Sequence, residues 1–528
     1  MPASDDDSPE QPGPDDLETT RQAAHEVESE IEEIGDPESG PGLPSTSLAA
    51  RGLASDLEAK PLPVKRPPRI SDILTLGWPM MLSQLLVSIT GLVDRAMIGR
   101  LDTEGGASVA LAAVGYTAQF FMLIQSALLA VGLAAVALMA RAIGAGDPAR
   151  SRAALASSIQ VALLLSLLLS AAILAAPDRL FGYLGASAEV SSTGRAYLQW
   201  MVGSSALLAL NLTFDSALRA DRNTRTPMMV SIAVAIVKLA LNAILIFGAF
   251  GIEPLGLAGA GLATTLSQAT GVLFYIWIFK RIESESPVHF RWRSILKRSG
   301  LTRQVFRVAA PGIAERVILN LGMLSYFWVL GRYYGTLAVA VYTVGVPLLS
   351  FSWIPGTGYG QACATLVGQR LGASDRAGAR KVGLQATGLA LATALPLAVI
   401  FGLLRTPLAE LFTDDAAVIA GLGPFMLALA IGQPFLQLHF ALGGAHRGAG
   451  DTTTPLVAAS VGNWLLRVPI SLLAAAFFQV GVVWLWWALV IDHLSRAILL
   501  GWSFQRGHWM DRLAASGSGL SPSPDRKN

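Results

Sequence analysis

The chain has one cysteine, six histidines, and charged side chains on only 14% of its 528 residues. Each shortage excludes something. Cys363, alone in an apolar run, can form neither a disulfide within the chain nor a cysteine metal cluster, and it marks no redox compartment. The histidines (His25, His289, His439, His446, His493 and His508) are scattered, so no metal or nucleophile constellation points to an enzyme. No Walker-type glycine loop suggests ATP hydrolysis. No cofactor and no nucleic-acid partner is expected. With so little charge and a mean hydropathy of +0.51, the chain does not read as an ordinary soluble protein.

What is present is long apolar runs. Val161–Ala176, Ser231–Gly248 and Leu389–Leu404 carry at most one charge each. With their neighbours they reach the roughly 20 residues needed to cross a bilayer. Twelve such segments are expected between residues 71 and 504. The first 60 residues are different material: they hold 16 of the 37 acidic residues and three of the 39 basic ones. Such a stretch buries too little apolar surface to offset its ordering entropy, so a disordered acidic tail is expected over 1–60. No basic-then-apolar secretory signal opens the sequence, and the tail is expected to stay cytoplasmic.

The sequence also repeats itself. Gly144, Ala145, Asp147, Ala149 and Arg152 answer to Gly372, Ala373, Asp375, Ala377 and Arg380. Thr224, Thr226 and Pro227 answer to Thr452, Thr454 and Pro455 at the same spacing. Pro79 to Arg100 matches Pro311 to Arg332, and Gly256 to Arg281 matches Gly481 to Arg506. A long, mostly apolar repeat marks a duplicated membrane transporter whose substrate path lies between its halves. The halves are expected at 70–280 and 303–508, with a basic, amphipathic linker at 281–302 resting on the membrane surface and a short tail at 509–528. Lysines and arginines crowd alternate loops (Arg141, Arg150 and Arg152; Arg219, Arg222 and Arg225; Lys280 to Arg303; Arg370 to Lys381), which places both termini and the linker in the cytoplasm.

Several short stretches carry a resemblance. Asp94-Arg95, Gly99-Arg100-Leu101, Leu111 to Gly115, Leu218-Arg219-Ala220, Thr226-Pro227, Gly259 to Thr264, Val367 to Ala373, Arg447-Gly448 and Asp451-Thr452 resemble the multidrug and toxic compound extrusion (MATE) transporters in order and spacing. The resemblance spans about 70 to 510. It implies an all-α membrane protein of twelve transmembrane helices in two six-helix bundles arranged as a V. It also implies antiport: export of a small organic cation or amphipathic compound against inward H⁺ or, less favoured, Na⁺, by a monomer in the plasma or bacterial inner membrane. A lipid-linked oligosaccharide flippase of related fold is the alternative.

Ionisable residues inside a membrane are costly and mark ion paths. Asp94 matches the family's first-helix aspartate, whose protonation or sodium binding is coupled to transport. A desolvated carboxylate can load and release a proton near neutral pH; capping or pairing at the rim beside Arg95 is the other reading. Asn211 and Asp215 stand four apart on the fourth segment, on one helical face, and Asp215 could equally pair with Arg219. Family members carry an Asn and an Asp four apart on the fifth helix, where Lys238 and Asn242 stand here. An ammonium has no lone pair to offer a sodium ion. Lys238 is expected to pair with Asp94 or Asp215, as a coupling switch or as structure. In the second half Glu315, Asn320 and Arg467 are the candidates; the family's seventh-helix glutamate would fall near Leu319-Asn320, so Glu315 stands on physical grounds alone. Met80, Met81, Met97, Met122, Phe120, Phe121, Tyr326, Trp328, Tyr342 and Trp353 could line a cavity or simply pack.

Overall fold

The computed structural model describes residues 66–101, 106–183, 186–249, 251–290, 292–295 and 300–512. The acidic stretch 1–60 and residues 513–528 lie outside the described residues. Among those described, the secondary structure is helical throughout. This is what lipid demands of a chain that satisfies its backbone hydrogen bonds within each segment.

The first half consists of α1 (Ile70–Ile98), α2 (Gly106–Gly144), α3 (Pro148–Leu174), α4 (Ala188–Ala220, with a break at Ser204), α5 (Arg225–Phe247) and α6 (Gly256–Arg281). The second half consists of α7 (Thr302–Val329), α8 (Gly335–Gly372), α9 (Arg376–Leu403), α10 (Ala416–Gly448), α11 (Thr453–Phe477) and α12 (Val483–Arg506). Among the described residues, eleven continuous stretches are long and apolar enough to cross a membrane. The twelve expected crossings differ from these eleven at one place. Thr302–Gly372 runs for 71 residues without a loop, far beyond the roughly 20 one crossing needs. It widens into a π turn at Leu330–Tyr334 and is interrupted at Gly335, with φ 77°, and so divides into α7 and α8.

Matching residues start matching helices. The Asp147 carboxylate accepts from Arg150 N–H at 2.8 Å and opens α3, and Asp375 accepts from Gly378 N–H at 2.7 Å and opens α9. Asn223 and Asp451 do the same for Thr226 and Thr454, each at 3.1 Å, before α5 and α11. The copies part company in α11, which contains π turns at Val461–Arg467 and Leu473–Phe477 where α5 is regular.

Residues 282–295 define one end of the bundle, the linker end. The linker does not lie free. Arg152 donates to the carbonyls of Ser284, Glu285 and Ser286, and Gln160 Nε2 donates to Ile295 O at 2.5 Å. Phe290 and Trp292 pack edge-on against Phe214 of α4. These residues are docked on the first half. At the same end the chain past α12 folds back: Trp509 stacks on Phe504 with centroids 5.2 Å apart, and Asp511 pairs with Arg376 at 2.5 Å.

The halves meet through α1 and α2 on one side and α7 and α8 on the other. Gly77 of α1 lies against Tyr359 and Gly358 of α8, and Gly312 of α7 lies against Ala130 of α2. Nearer the linker end, Gly144 abuts the Gln369 carbonyl and Gly372 abuts the Arg141 carbonyl, a reciprocal crossing of α2 and α8. Any side chain at either glycine would overlap backbone, so the approach depends on both lacking one. Ile73 and Leu76 of α1 join an apolar core made mainly by α8, α9, α10 and α12. All of these junctions fall in the linker-side part of the four helices.

Candidate functional site

Burial of a carboxylate inside an apolar bundle has to be compensated by a cation or by hydrogen bonds. Asp94, Asp215, Glu315 and Asp492 are the four carboxylates of the spans away from the first turns, and each meets a cation.

Asp94 on α1 is ion-paired with the Lys238 ammonium of α5 through one oxygen and accepts from Asn242 Nδ2 through the other. Lys238 and Asn242, one helical turn apart, therefore clasp a single carboxylate. Both charged side chains are 18% exposed, and Asn242 is fully buried with its own carbonyl oxygen unpaired. Of the two partners considered for Lys238, the structure selects Asp94. Asp94 does not turn to Arg95.

Asp215 pairs one turn along α4 with Arg219, whose guanidinium also donates to Gln361 of α8, across the interface between halves. Asn211 is not part of that pair: its Nδ2 donates to Gln268 of α6, at 2.9 Å to the carbonyl and 2.6 Å to Oε1. Asn211 and Asp215, one turn apart on α4, thus have different partners.

In the second half the three candidates fall in different places. Glu315 is 2.6 Å from Arg447 at the end of α10. Asn320 is half-buried and joins neither neighbouring cluster. Arg467 sits 4.1 Å above the Tyr326 ring, donates to the Tyr342 hydroxyl at 3.1 Å, and lies 3.9 Å from Asp492. Asp492 is fully buried and is held in a bidentate pair by Arg496, both contacts 2.6 Å. His439 and His493 stack beside this group with centroids 5.3 Å apart. Asp94 and Tyr326 stand equally far along α1 and α7 from Pro79 and Pro311, so the copies place a cation of the fifth helix against matching sites, one acidic and one aromatic. Tyr326 and Tyr342, read as cavity candidates, instead belong to the second half's buried core.

At the linker end, outside the spans, Arg222 adopts φ 64°, where the second copy has Gly450 at φ 79°. Its guanidinium donates to Gln369 of α8, and Gln369 Nε2 returns a bond to Ala220 O at 2.8 Å. Asp221 beside it has its carboxyl pushed up to about 7, because burial penalises the charged form more than Arg222 favours it. Nothing in the loop composition singled out Gln361 or Gln369. The one legible signal was the mismatch of Arg222 with Gly450 when the copies are aligned.

A family model named MatE matches residues 79–244 and 311–473, one match in each half. The chain is 28% identical over 457 residues to a probable multidrug resistance protein NorM of Thermotoga maritima, covering 85% of this chain and 96% of the relative. A protein of the same name from Bradyrhizobium diazoefficiens is 32% identical over 442 residues, covering 81% and 91%. Among solved structures, a mutant of the Vibrio cholerae MATE transporter VcmN superposes with a TM-score of 0.76 at 22% identity, covering 84% and 98%. A MOP superfamily transporter from Pyrococcus furiosus, described as having a binding pocket of reverse polarity, gives 0.77 at 20% identity, covering 85% and 98%.

Proposed function

Because the chain belongs to the MatE family, we propose that it is an H⁺-driven antiporter that exports amphipathic organic compounds, with the Asp94–Lys238–Asn242 group as the coupling site. The family and its relatives named for multidrug resistance make it a multi-pass membrane efflux transporter. The choice of ion rests on one observation: an ammonium already occupies the carboxylate. Sodium binding needs several oxygen donors around the ion and no neighbouring positive charge, and Lys238 supplies the opposite. A proton needs only one oxygen.

The mechanism is a competition. With Lys238 and Asn242 in contact, the Asp94 carboxylate is held as an anion. A proton arriving from the open cleft neutralises it and removes the ammonium's reason to stay. The helices α1 and α5 then repack, and contact re-forms once the proton has left on the other side. Each charge moved inward gains about 2.3 kcal/mol per 100 mV if the step carries net charge. The loop charge bias supports a cytoplasmic linker end with both termini inside, in the plasma or bacterial inner membrane. With the halves joined near the linker end, a cleft between them as the substrate path then opens outward. Organic cations as cargo rest on the family resemblance alone. The relatives named for multidrug resistance favour efflux over the flippase reading.

The test is transport by the purified protein in vesicles under an imposed pH gradient or an imposed sodium gradient. Export is expected with the pH gradient and absent with sodium at clamped pH, and Asp94→Asn should abolish it while leaving the protein folded. Sodium-driven export at clamped pH, or normal export by Asp94→Asn, would refute the reading.

A further inference from the structure

All four carboxylates named above are engaged by cations, but the converse does not hold. Arg316 of α7 makes no hydrogen bond or ion pair among the described residues. Its electrostatic neighbours are Glu315, already taken by Arg447, and Arg447 itself. The three together carry one uncompensated positive charge.

Its position is set by helix geometry. Gly312 and Arg316 are four apart and share a face, and at Gly312 that face meets Ala130 of α2. One turn further along that face, Arg316 stands just past this junction on the far side, partly exposed. Gln84 on α1 stands at the same remove from Pro79 as Arg316 does from Pro311, and it is exposed. It follows Met81, which touches Gly358 of α8, so it too lies just past the point of closest approach. On α2, Ser126 and Met122 continue the Ala130 face outward, and Met122 is 48% exposed. Just past the junction the two halves thus carry amide, hydroxyl, thioether and one guanidinium. The spans offer no free carboxylate there to hold a cationic cargo.

We propose that the cleft takes amphipathic compounds that carry an oxyanion, a carboxylate in the simplest case, which docks on Arg316. This rests on the efflux reading and on the cleft as the substrate path. A planar guanidinium that stays charged at all working pH values matches a carboxylate with two parallel bonds. Met122 supplies an adaptable apolar wall for the body of the molecule.

Two dyes that differ in one group test this: rhodamine 110, with a free carboxylate, and rhodamine 123, its methyl ester. Binding to the purified full chain is read by fluorescence polarisation with no ion gradient. The acid is expected to bind about tenfold more tightly than the ester, the size expected for one charge-assisted bond. Arg316→Gln should erase that preference by weakening the acid, and Arg316→Lys should keep most of it. Gln84→Arg, which adds a second guanidinium at the matching position, should tighten the acid only, and it decides the matter if Arg316→Gln does not accumulate. A wild-type preference for the ester, equal weakening of both dyes by Arg316→Gln, or no gain for the acid in Gln84→Arg would overturn the proposal. Since no gradient is imposed, the result is independent of whether transport is driven by protons.

Discussion

Arg222 holds a left-handed backbone that costs a non-glycine residue about 1 kcal/mol, where the second copy uses Gly450. The strain persists because the side chain reaches Gln369 and ties the first half to α8. Arg222→Gly is expected to leave thermal stability within about 1 kcal/mol of wild type, strain relief offsetting the lost bond. It should nevertheless let the linker end open more often, read by thiol labelling of a cysteine placed there. Asp221 adds a pH dependence of definite sign. Its carboxyl sits at about 7 in the closed linker end and would fall toward the ordinary 3.8 once hydrated. Between about 4 and 7 the closed form thus binds the proton more tightly than the open form, so closure weakens as pH rises through that window and levels off above it. Labelling of the linker end should increase from about pH 5 to about pH 7 and level off above it, and Asp221→Asn should flatten that response. Asp492 is the third residue-scale case. Removing its charge leaves Arg467 and Arg496 buried and uncompensated, and Asp492→Asn should lower stability by about 3–5 kcal/mol in detergent melts.

Among the elements, α2 and α8 depend on each other through Gly144 and Gly372. Gly144→Val should cost about 1–3 kcal/mol by overpacking, and it should raise labelling of the linker end because the two helices can no longer cross at contact. The sequence made these helices legible: apolar runs gave their extents, and the repeated Gly-Ala-x-Asp stretches gave the turn and cap between α2 and α3 and between α8 and α9. It made the acidic residues legible as intramembrane and offered Arg219 for Asp215 and Lys238 for Asp94 or Asp215, but it did not decide between them or name Arg447 for Glu315. Asp94 and Lys238 are 144 residues apart, and which cation meets which carboxylate is decided by how α1 packs on α5. Asn211 shows the same limit, since its real partner, Gln268, lies on a helix that periodicity does not relate to it. The π turns of α11 were not legible either. They shift Arg467 relative to a regular helix, and only the packing on Tyr326 shows where it goes.

For the whole molecule, the duplication and the charge bias of the loops carried the architecture, and both are properties of long stretches that survive local error. The proposed orientation has a direct check: with Cys363 removed, a cysteine at Ser286 should escape a membrane-impermeant thiol reagent in intact cells, and its reaction would place the linker outside. The linker's docking has a further meaning. Arg152, Gln160 and Phe214 hold residues 284–295 against the first half, so the covalent crossing to the second half is confined to the few residues between Ile295 and Thr302. On the proposed division into two six-helix units, these act as two subunits made as one polypeptide. Separate genes for the chain up to Ile295 and from Gly300 onward, expressed together, should yield a co-purifying pair that binds dye as the intact protein does.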